Sequence, residues 1–119
     1  MRIAGIIQFK PAELKSIDLA IGHIMCFYAT AITAEDLSDL FSLPLPKMHA
    51  GVKRRTGLTI HNYLNSVRIE HAKGLLDNLD HSIKYIAVVI GYKSSSHFIQ
   101  IFKDRTGITP SQYRGRIAV

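Results

Sequence analysis

Lys53-Arg54-Arg55-Thr56-Gly57-Leu58-Thr59, with Tyr63 beyond it, returns fifty residues later as Lys103-Asp104-Arg105-Thr106-Gly107-Ile108-Thr109, with Tyr113 beyond it. Across the eleven positions, six are identical: Lys, Arg, Thr, Gly, Thr and Tyr. Upstream the match continues at an offset of 49, pairing Thr33 with Ser82, Leu37 with Ile86, Ser38 with Ala87, Phe41 with Ile90 and Ser42 with Gly91. The shift in offset places one extra residue in the second copy, between Gly91 and Phe98. Two blocks matching in the same order mark one supersecondary unit present twice.

Each copy reads as helix, tight turn, helix. In the first, Thr33 with Asp36 three residues later forms a capping box, and Leu37, Leu40 and Phe41 share a helical face. Ser42-Leu43-Pro44 turns the chain, and Pro46 suits the first turn of the next helix, where its missing N–H is no loss. That helix runs to about Thr56 and stops at Gly57. In the second copy Ser82 caps a helix with Ile83, Ile86, Ala87 and Ile90 inward. Gly91 turns the chain, and Ser94 or Ser95 caps a helix ending at Gly107. Pro11 opens a leading helix of roughly residues 12–29 with Leu14, Ile17, Ile21, Ile24 and Tyr28 as its core stripe. A long helix from about Ile60 to Leu79, carrying Leu64, Val67, Leu75 and Leu79, joins the copies, and Pro110 opens a short last helix over 110–117. Only residues 3–9 show any strand-like pattern, read as coil or a stray edge strand. The fold class is all-α, with about seven helices. Two helix-turn-helix lobes (residues 12–60 and 80–117) are joined by a linker helix (60–79), and residues 1–11 are an extension or linker remnant outside the 12–119 domain.

Size and composition limit the functions open to such a chain. At 119 residues, about two-thirds of the extended chain's surface is buried on folding, enough for one domain or two small lobes. A hydrophobic content of 47% against 20% charged argues against disorder. The single cysteine, Cys26, excludes an internal disulfide framework and suits a reducing compartment. No stretch of 18 apolar residues exists to span a membrane. Fifteen Lys and Arg against nine Asp and Glu give a net charge of +6, which favours polyanionic partners and a cytoplasmic, nucleoid-associated place. The charge is uneven: residues 80–119 hold six basic and two acidic side chains, and Lys47, Lys53, Arg54 and Arg55 follow one another without an intervening acid.

A helix-turn-helix presents its second helix to the DNA major groove, so that helix needs one apolar and one readable face. In the first copy Leu45, Met48 and Val52 point inward, leaving Pro46, His49, Ala50 and Lys53 as the outer stripe, flanked by Lys47 and Arg54. In the second, Phe98, Ile101 and Phe102 point inward, and Ser96, Ile99, Gln100 and Lys103 outward, with Ser95 and His97 beside them. Gln can bond adenine bidentately, Ser and His can meet base edges, and Ile can sit on a thymine methyl. Lys47, Lys53, Arg54 and Lys103 suit phosphate contacts, which position a protein without reading sequence.

The second copy, from Ser82-Ile83 through Ile86-Ala87, Ile90-Gly91-Tyr92, Ser94, Ser96-His97-Phe98 and Ile101-Phe102-Lys103 to Thr106-Gly107-Ile108-Thr109-Pro110-Ser111-Gln112-Tyr113-Arg114, closely resembles the signature of the AraC/XylS family of bacterial transcription regulators. The first copy resembles that family's first helix-turn-helix, and Tyr63 to Leu79 its linker helix, so the resemblance covers about residues 15–116. It implies a seven-helix domain of two homeodomain-like helix-turn-helix lobes whose recognition helices enter successive major grooves on one DNA face. By position it assigns base reading to Pro46, His49, Ala50, Ser95, Ser96, His97, Ile99 and Gln100. It further implies double-stranded DNA and RNA polymerase as partners, activation as the usual outcome, and a separate sensing domain, so that no inducer binds here.

Three departures bear on the first lobe. Gly51 stands where the family has a bulky apolar residue, and a mid-helix glycine costs about 0.5–1 kcal/mol against alanine. Ala50 stands where a long polar side chain is common, and Pro44 with Pro46 constrains how the chain enters the helix. The second lobe is therefore expected to dominate base reading. A protein-interaction or antagonist module that keeps the fold with weak DNA reading is the alternative. The recognition part of a repair enzyme is a further one, but it needs an exposed, activated cysteine, and Cys26 is expected to be buried beside the core stripe. Enzymatic chemistry is otherwise unsupported: no P-loop, dinucleotide turn or nucleophile elbow occurs, and Glu70-His71 diverge on a helix as a surface pair. No cofactor is called for. Nor is a metal, since none of the six histidines (23, 49, 61, 71, 81, 97) has a partner at helical ligand spacing.

Overall fold

A computed structural model describes residues 8–117. Among them are seven helices and no strand: α1 (Pro11–Phe27), α2 (Ala34–Leu40), α3 (Leu45–Thr56), α4 (Ile60–Leu76), α5 (Ile83–Val89), α6 (Ser95–Thr106) and α7 (Pro110–Ile117). Residues 8–10 carry no regular structure, and the rest of the segment read as coil or edge strand, residues 3–7, lies outside the described residues. The chain divides into two compact units. One holds α1, α2, α3 and α4 through Leu64; the other holds Tyr28–Ala31 and the chain from Asn65 onward.

In the first unit α3 packs against α1 and α2. Thr33 caps α2 as its sequence promises: its hydroxyl accepts the Asp36 N–H at 3.1 Å while the Asp36 carboxylate accepts the Thr33 N–H at 3.0 Å. The following turn takes Ser42 through φ +52°, and its counterpart Gly91 in the second unit stands at φ +105°. The same left-handed step thus occurs twice, once with a side chain and once without. Ile17, Ala20 and Ile24 of α1 are buried with Leu37, Met48 and Val52. Leu14, placed in the α1 stripe on spacing, is 42% exposed, because the helix turns its 17–20–24 edge to α3 instead.

Gly51 is explained by this packing. A Cβ added there would collide with Ile17 Cδ1 and lie 2.6 Å from Ile17 Cγ1. The bulk missing from α3 is supplied from α1, so glycine is what lets the two helices close.

In the second unit α6 packs against α5 and α7. Its core joins Ile69, Ala72 and Leu76 of α4 to Ile86, Ala87, Ile90, Tyr92, Phe98 and Phe102, with Ile101 and Tyr113 at the margin. Full burial of such side chains contributes about 1.5–3 kcal/mol each. Two residues on α4 depart from the expected apolar pattern: Asn65 and Arg68 are buried, at 3% and 8% exposure. Asn65 Oδ1 accepts the Tyr92 hydroxyl at 2.6 Å. Arg68 donates from Nε to the Tyr28 carbonyl at 2.7 Å and from Nη2 to the Thr30 carbonyl at 2.9 Å, with its guanidinium carbon 5.0 Å from the centre of the Tyr92 ring. Burial lowers the Arg68 pKa and raises that of Tyr92. A Cβ on Gly91 would meet the Ala29 carbonyl oxygen and Arg68 Nη2, each at 2.9 Å, so this turn must be glycine for space as well as for its φ.

Two helix boundaries differ from those expected. α1 ends at Phe27, two residues before the expected end, because the Tyr28 carbonyl is taken by Arg68 and its ring stacks on His71 at 4.0 Å. α4 ends at Leu76, not Leu79, which is 61% exposed. There the Asp77 and Asn78 N–H groups reach back only three residues, and Asn78 Oδ1 accepts the Asp80 N–H at 2.9 Å, forming a side-chain turn. Val67 and Leu75 are half-buried. Cys26, expected in the core, is exposed on α1, since the buried edge of that helix ends at Ile24.

Two stability changes follow. Gly51→Ala should cost about 1–3 kcal/mol by forcing Ile17 aside, yet stabilise by up to about 1 kcal/mol in an Ile17→Ala background, where alanine's helix preference acts alone. Urea unfolding of the four proteins checks this, and a stabilising Gly51→Ala in the wild-type chain would refute it. Arg68→Met should lose about 2–4 kcal/mol through two stranded carbonyls, with Arg68→Lys recovering part. A thermal-unfolding loss below about 1 kcal/mol for Arg68→Met contradicts this role.

Candidate nucleic-acid interface

Both recognition helices are delimited by the same device. At the end of α3 the Thr56 hydroxyl donates to the Val52 carbonyl at 2.7 Å and accepts the Leu58 N–H at 3.1 Å. At the end of α6 the Thr106 hydroxyl donates to the Phe102 carbonyl at 2.8 Å and accepts the Ile108 N–H at 3.4 Å. Gly57 and Gly107 follow at φ +79° and +86°, each N–H bonding the carbonyl of Lys53 or Lys103 at 2.8 Å. The basic residues of the two blocks, Lys53, Arg54, Arg55, Lys103 and Arg105, fall in the last turns of these helices, where they also offset the negative end of the helix dipole.

On α3 the buried edge is Met48, Gly51 and Val52, and Leu45 is half-buried. Pro46, His49 and Lys53 are exposed on the outer face and Ala50 is half-buried there. Pro44 is the N-cap and makes no side-chain cap. The basic side chains around this face differ in how far they are engaged. Lys47 Nζ lies 2.7 Å from Glu13 Oε2, and Arg55 forms a two-pronged pair with Asp18, 2.9 Å from Nε and 2.7 Å from Nη2. The Lys10 backbone N–H and then the Lys47 ammonium hold the Glu13 carboxyl below its ordinary pKa. Arg54 is exposed with its guanidinium carbon 4.9 Å from the centre of the Phe9 ring. Lys47 can therefore serve any further anion only by sharing or leaving Glu13.

On α6 Ser94 is the cap, its hydroxyl accepting the His97 N–H at 3.2 Å. Phe98 and Phe102 are fully buried, while Ser96, His97, Ile99, Gln100 and Lys103 are exposed and Ser95 is half-buried. His97 rests its ring edge-on against Tyr92 at 5.3 Å, and Gln100 Nε2 donates to Asp104 Oδ1 at 2.8 Å. The second unit thus gathers Ser96, His97, Ile99, Gln100 and Lys103 on one open helix face, and the first gathers Pro46, His49 and Lys53. Asp104 went unremarked in the sequence, although its i, i+4 relation to Gln100 marks a helical hydrogen-bonding pair. Among the described residues no three His, Cys, Asp or Glu side chains converge as metal ligands would. Glu70 pairs with Lys73 at 3.2 Å, and His71 stacks on Tyr28.

A family model described as a helix-turn-helix domain matches residues 37–116. The chain is 34% identical over 101 residues to the transcriptional activator RhaS of Escherichia fergusonii, covering 82% of this chain and 36% of RhaS. It therefore spans a little over a third of the length of the curated relatives it matches. Among solved structures, the C-terminal domain of the response regulator YesN from Fusobacterium nucleatum is similar at a TM-score of 0.77 and 30% identity, covering 84% of this chain and 98% of that one. The C-terminal domain of AraT, a response regulator from Geobacillus stearothermophilus, shares the fold at a TM-score of 0.81 and 23% identity, covering 92% and 88%. With two open recognition helices ended by one repeated stop, and relatives of this kind along most of its length, the chain belongs to the AraC/XylS family of transcription regulators and carries that family's DNA-binding helix-turn-helix domain.

Proposed function

We propose that the chain binds double-stranded DNA sequence-specifically, with α3 and α6 in major grooves, and that the regulator it serves activates transcription through RNA polymerase at the bacterial nucleoid. The observation that carries this reading is the α6 face. Ser96, His97, Ile99 and Gln100 stand open there between a capped first turn and Lys103. They can meet acceptor and donor base edges and a thymine methyl, while the capped N-terminus and lysine suit phosphates. Activation is supported by the names of the relatives, transcriptional activators, of which this chain matches about a third.

The base-reading set is Pro46, His49 and Ala50 on α3 and Ser95, Ser96, His97, Ile99 and Gln100 on α6, with Lys47, Lys53, Arg54 and Lys103 on phosphates. Ala50 and Pro46 offer no hydrogen bond to a base from their side chains, so α6 dominates reading and α3 mainly positions. Two unlike recognition helices in one chain favour a non-palindromic site. We read the DNA-binding domain as two lobes, about residues 12–60 and 80–117, joined over 60–79 by a connector of which α4 supplies Ile60–Leu76. No catalytic role is assigned to it. An exposed Cys26 no longer argues by burial against a repair enzyme, but among the described residues no side chain pairs with its thiol to activate it.

Selection from random duplex should return one asymmetric site. Gln100→Ala should relax its base preferences more than His49→Ala does; the reverse order would overturn the dominance of α6. With about 6–8 phosphates neutralised, log K should fall against log salt with a slope of about −5 to −7. A flat salt response would show that phosphate contacts do not drive binding.

A further inference from the structure

Gln100 and Asp104 stand one helical turn apart on the exposed face of α6, and Gln100 Nε2 donates to Asp104 Oδ1 at 2.8 Å. A carboxylate only accepts, so the opposite rotamer of the amide would set Gln100 Oε1 against a charged oxygen with no proton between them. The orientation of the amide is therefore imposed by its neighbour. The geometry of a primary amide completes the picture. Of the two hydrogens on Nε2, the one remote from Oε1 serves Asp104, since using the other would again bring Oε1 to the carboxylate. This leaves Oε1 and the adjacent hydrogen side by side, as one acceptor–donor edge. Among the described residues neither is used by another protein group.

That edge matches adenine, whose N6 amino group donates and whose N7 accepts in the major groove, whereas guanine presents two acceptors there. A glutamine free to turn could offer both Nε2 hydrogens to guanine O6 and N7; one tied to Asp104 keeps a single hydrogen for N7 and sets Oε1 against guanine O6, acceptor to acceptor. The tie is weak in water, as exposed helical pairs are, and strengthens where an interface excludes water. The first copy lacks both parts. Fifty residues earlier stand Ala50 and Arg54, and Arg54 lies over Phe9 instead.

Resting on the DNA-binding reading above, we infer that Asp104 is a positioning residue for base recognition: it locks the Gln100 amide so that α6 accepts adenine and rejects guanine at the position Gln100 reads. It acts against its own charge, since a carboxylate beside a phosphate-binding surface weakens affinity for every sequence alike. The two effects can therefore be separated.

The test is site selection from random duplex, followed by competition binding, with the wild-type chain, Gln100→Ala, Asp104→Ala and Asp104→Asn. Gln100→Ala identifies the position that Gln100 reads, as the one whose adenine preference disappears. At that position Asp104→Ala should lower the adenine-over-guanine ratio about threefold or more while leaving the other positions unchanged. Asp104→Asn, which keeps an acceptor without the charge, should retain most of the ratio. Overall affinity should rise for both Asp104 variants. If both raise affinity uniformly and neither moves the ratio, Asp104 is only a surface charge and the inference fails while DNA reading stands. The same holds if Gln100→Ala alters no position. If the wild-type chain enriches no site, the DNA-reading proposal fails and this inference with it.

Discussion

The helix stop at Thr56-Gly57, repeated at Thr106-Gly107, is the constraint from which the rest of each unit follows. A threonine hydroxyl takes the carbonyl one turn back and receives the N–H two residues on, and a glycine in the left-handed region then reverses the chain. Two residues later a second threonine caps the next helix. Thr59 accepts the Asn62 N–H at 3.2 Å, and Thr109 accepts that of Gln112 at 3.1 Å while its own N–H reaches the Gln112 side chain at 2.9 Å. Seven residues therefore end a recognition helix, turn the chain and start its support. The lysine at the head of each block is held exposed in the last turn of its helix.

Around these stops, each unit is closed by one atypical residue. In the first it is an absence: Gly51 lets Ile17 of α1 fill the space against α3, so a residue that looks like a weak point in a helix is a site of close approach. In the second it is an added charge. Arg68 inside the unit gathers the carbonyls of Tyr28 and Thr30, faces the Tyr92 ring and leaves room only for glycine at 91. A buried guanidinium bonded to loop carbonyls is costly to desolvate, but it holds a segment with no helix of its own. Both arrangements leave α3 and α6 with one face fully committed to packing and the other free.

Helix identities, caps and stops were legible in the chain because they are set by neighbours within a few residues. The Thr33 box, the Ser82 cap, a serine cap at 94 or 95 (which the structure places at Ser94), Pro46 and the stops at Gly57 and Gly107 all carry their signal locally. The division of α3 and α6 into inward and outward residues was equally legible, since Met48, Val52, Phe98 and Phe102 recur at helical spacing. Leu14, Tyr28, Leu79 and Cys26 were misplaced for a common reason. Helical spacing says which residues share a stripe, but not which edge of the stripe a neighbouring helix covers or where a distant side chain takes the terminal carbonyls. Arg68 and Asn65 were invisible because a polar residue on a long helix reads as solvated unless distant partners, such as Tyr28 forty residues away and Tyr92 twenty-seven residues away, are known.

The sequence by itself determined that this chain is a duplicated helix-turn-helix of basic character whose second helix in each copy has one apolar and one polar face. Repetition, caps and periodicity are local and survive without a fold. Tertiary structure alone decided which basic side chains are paired and how the exposed polar groups are held. It paired Lys47 with Glu13 and Arg55 with Asp18, put Ile17 in the place of a side chain at 51, and set the amide of Gln100 against Asp104. Each depends on the distance and direction of a side chain from another, and a linear pattern records neither.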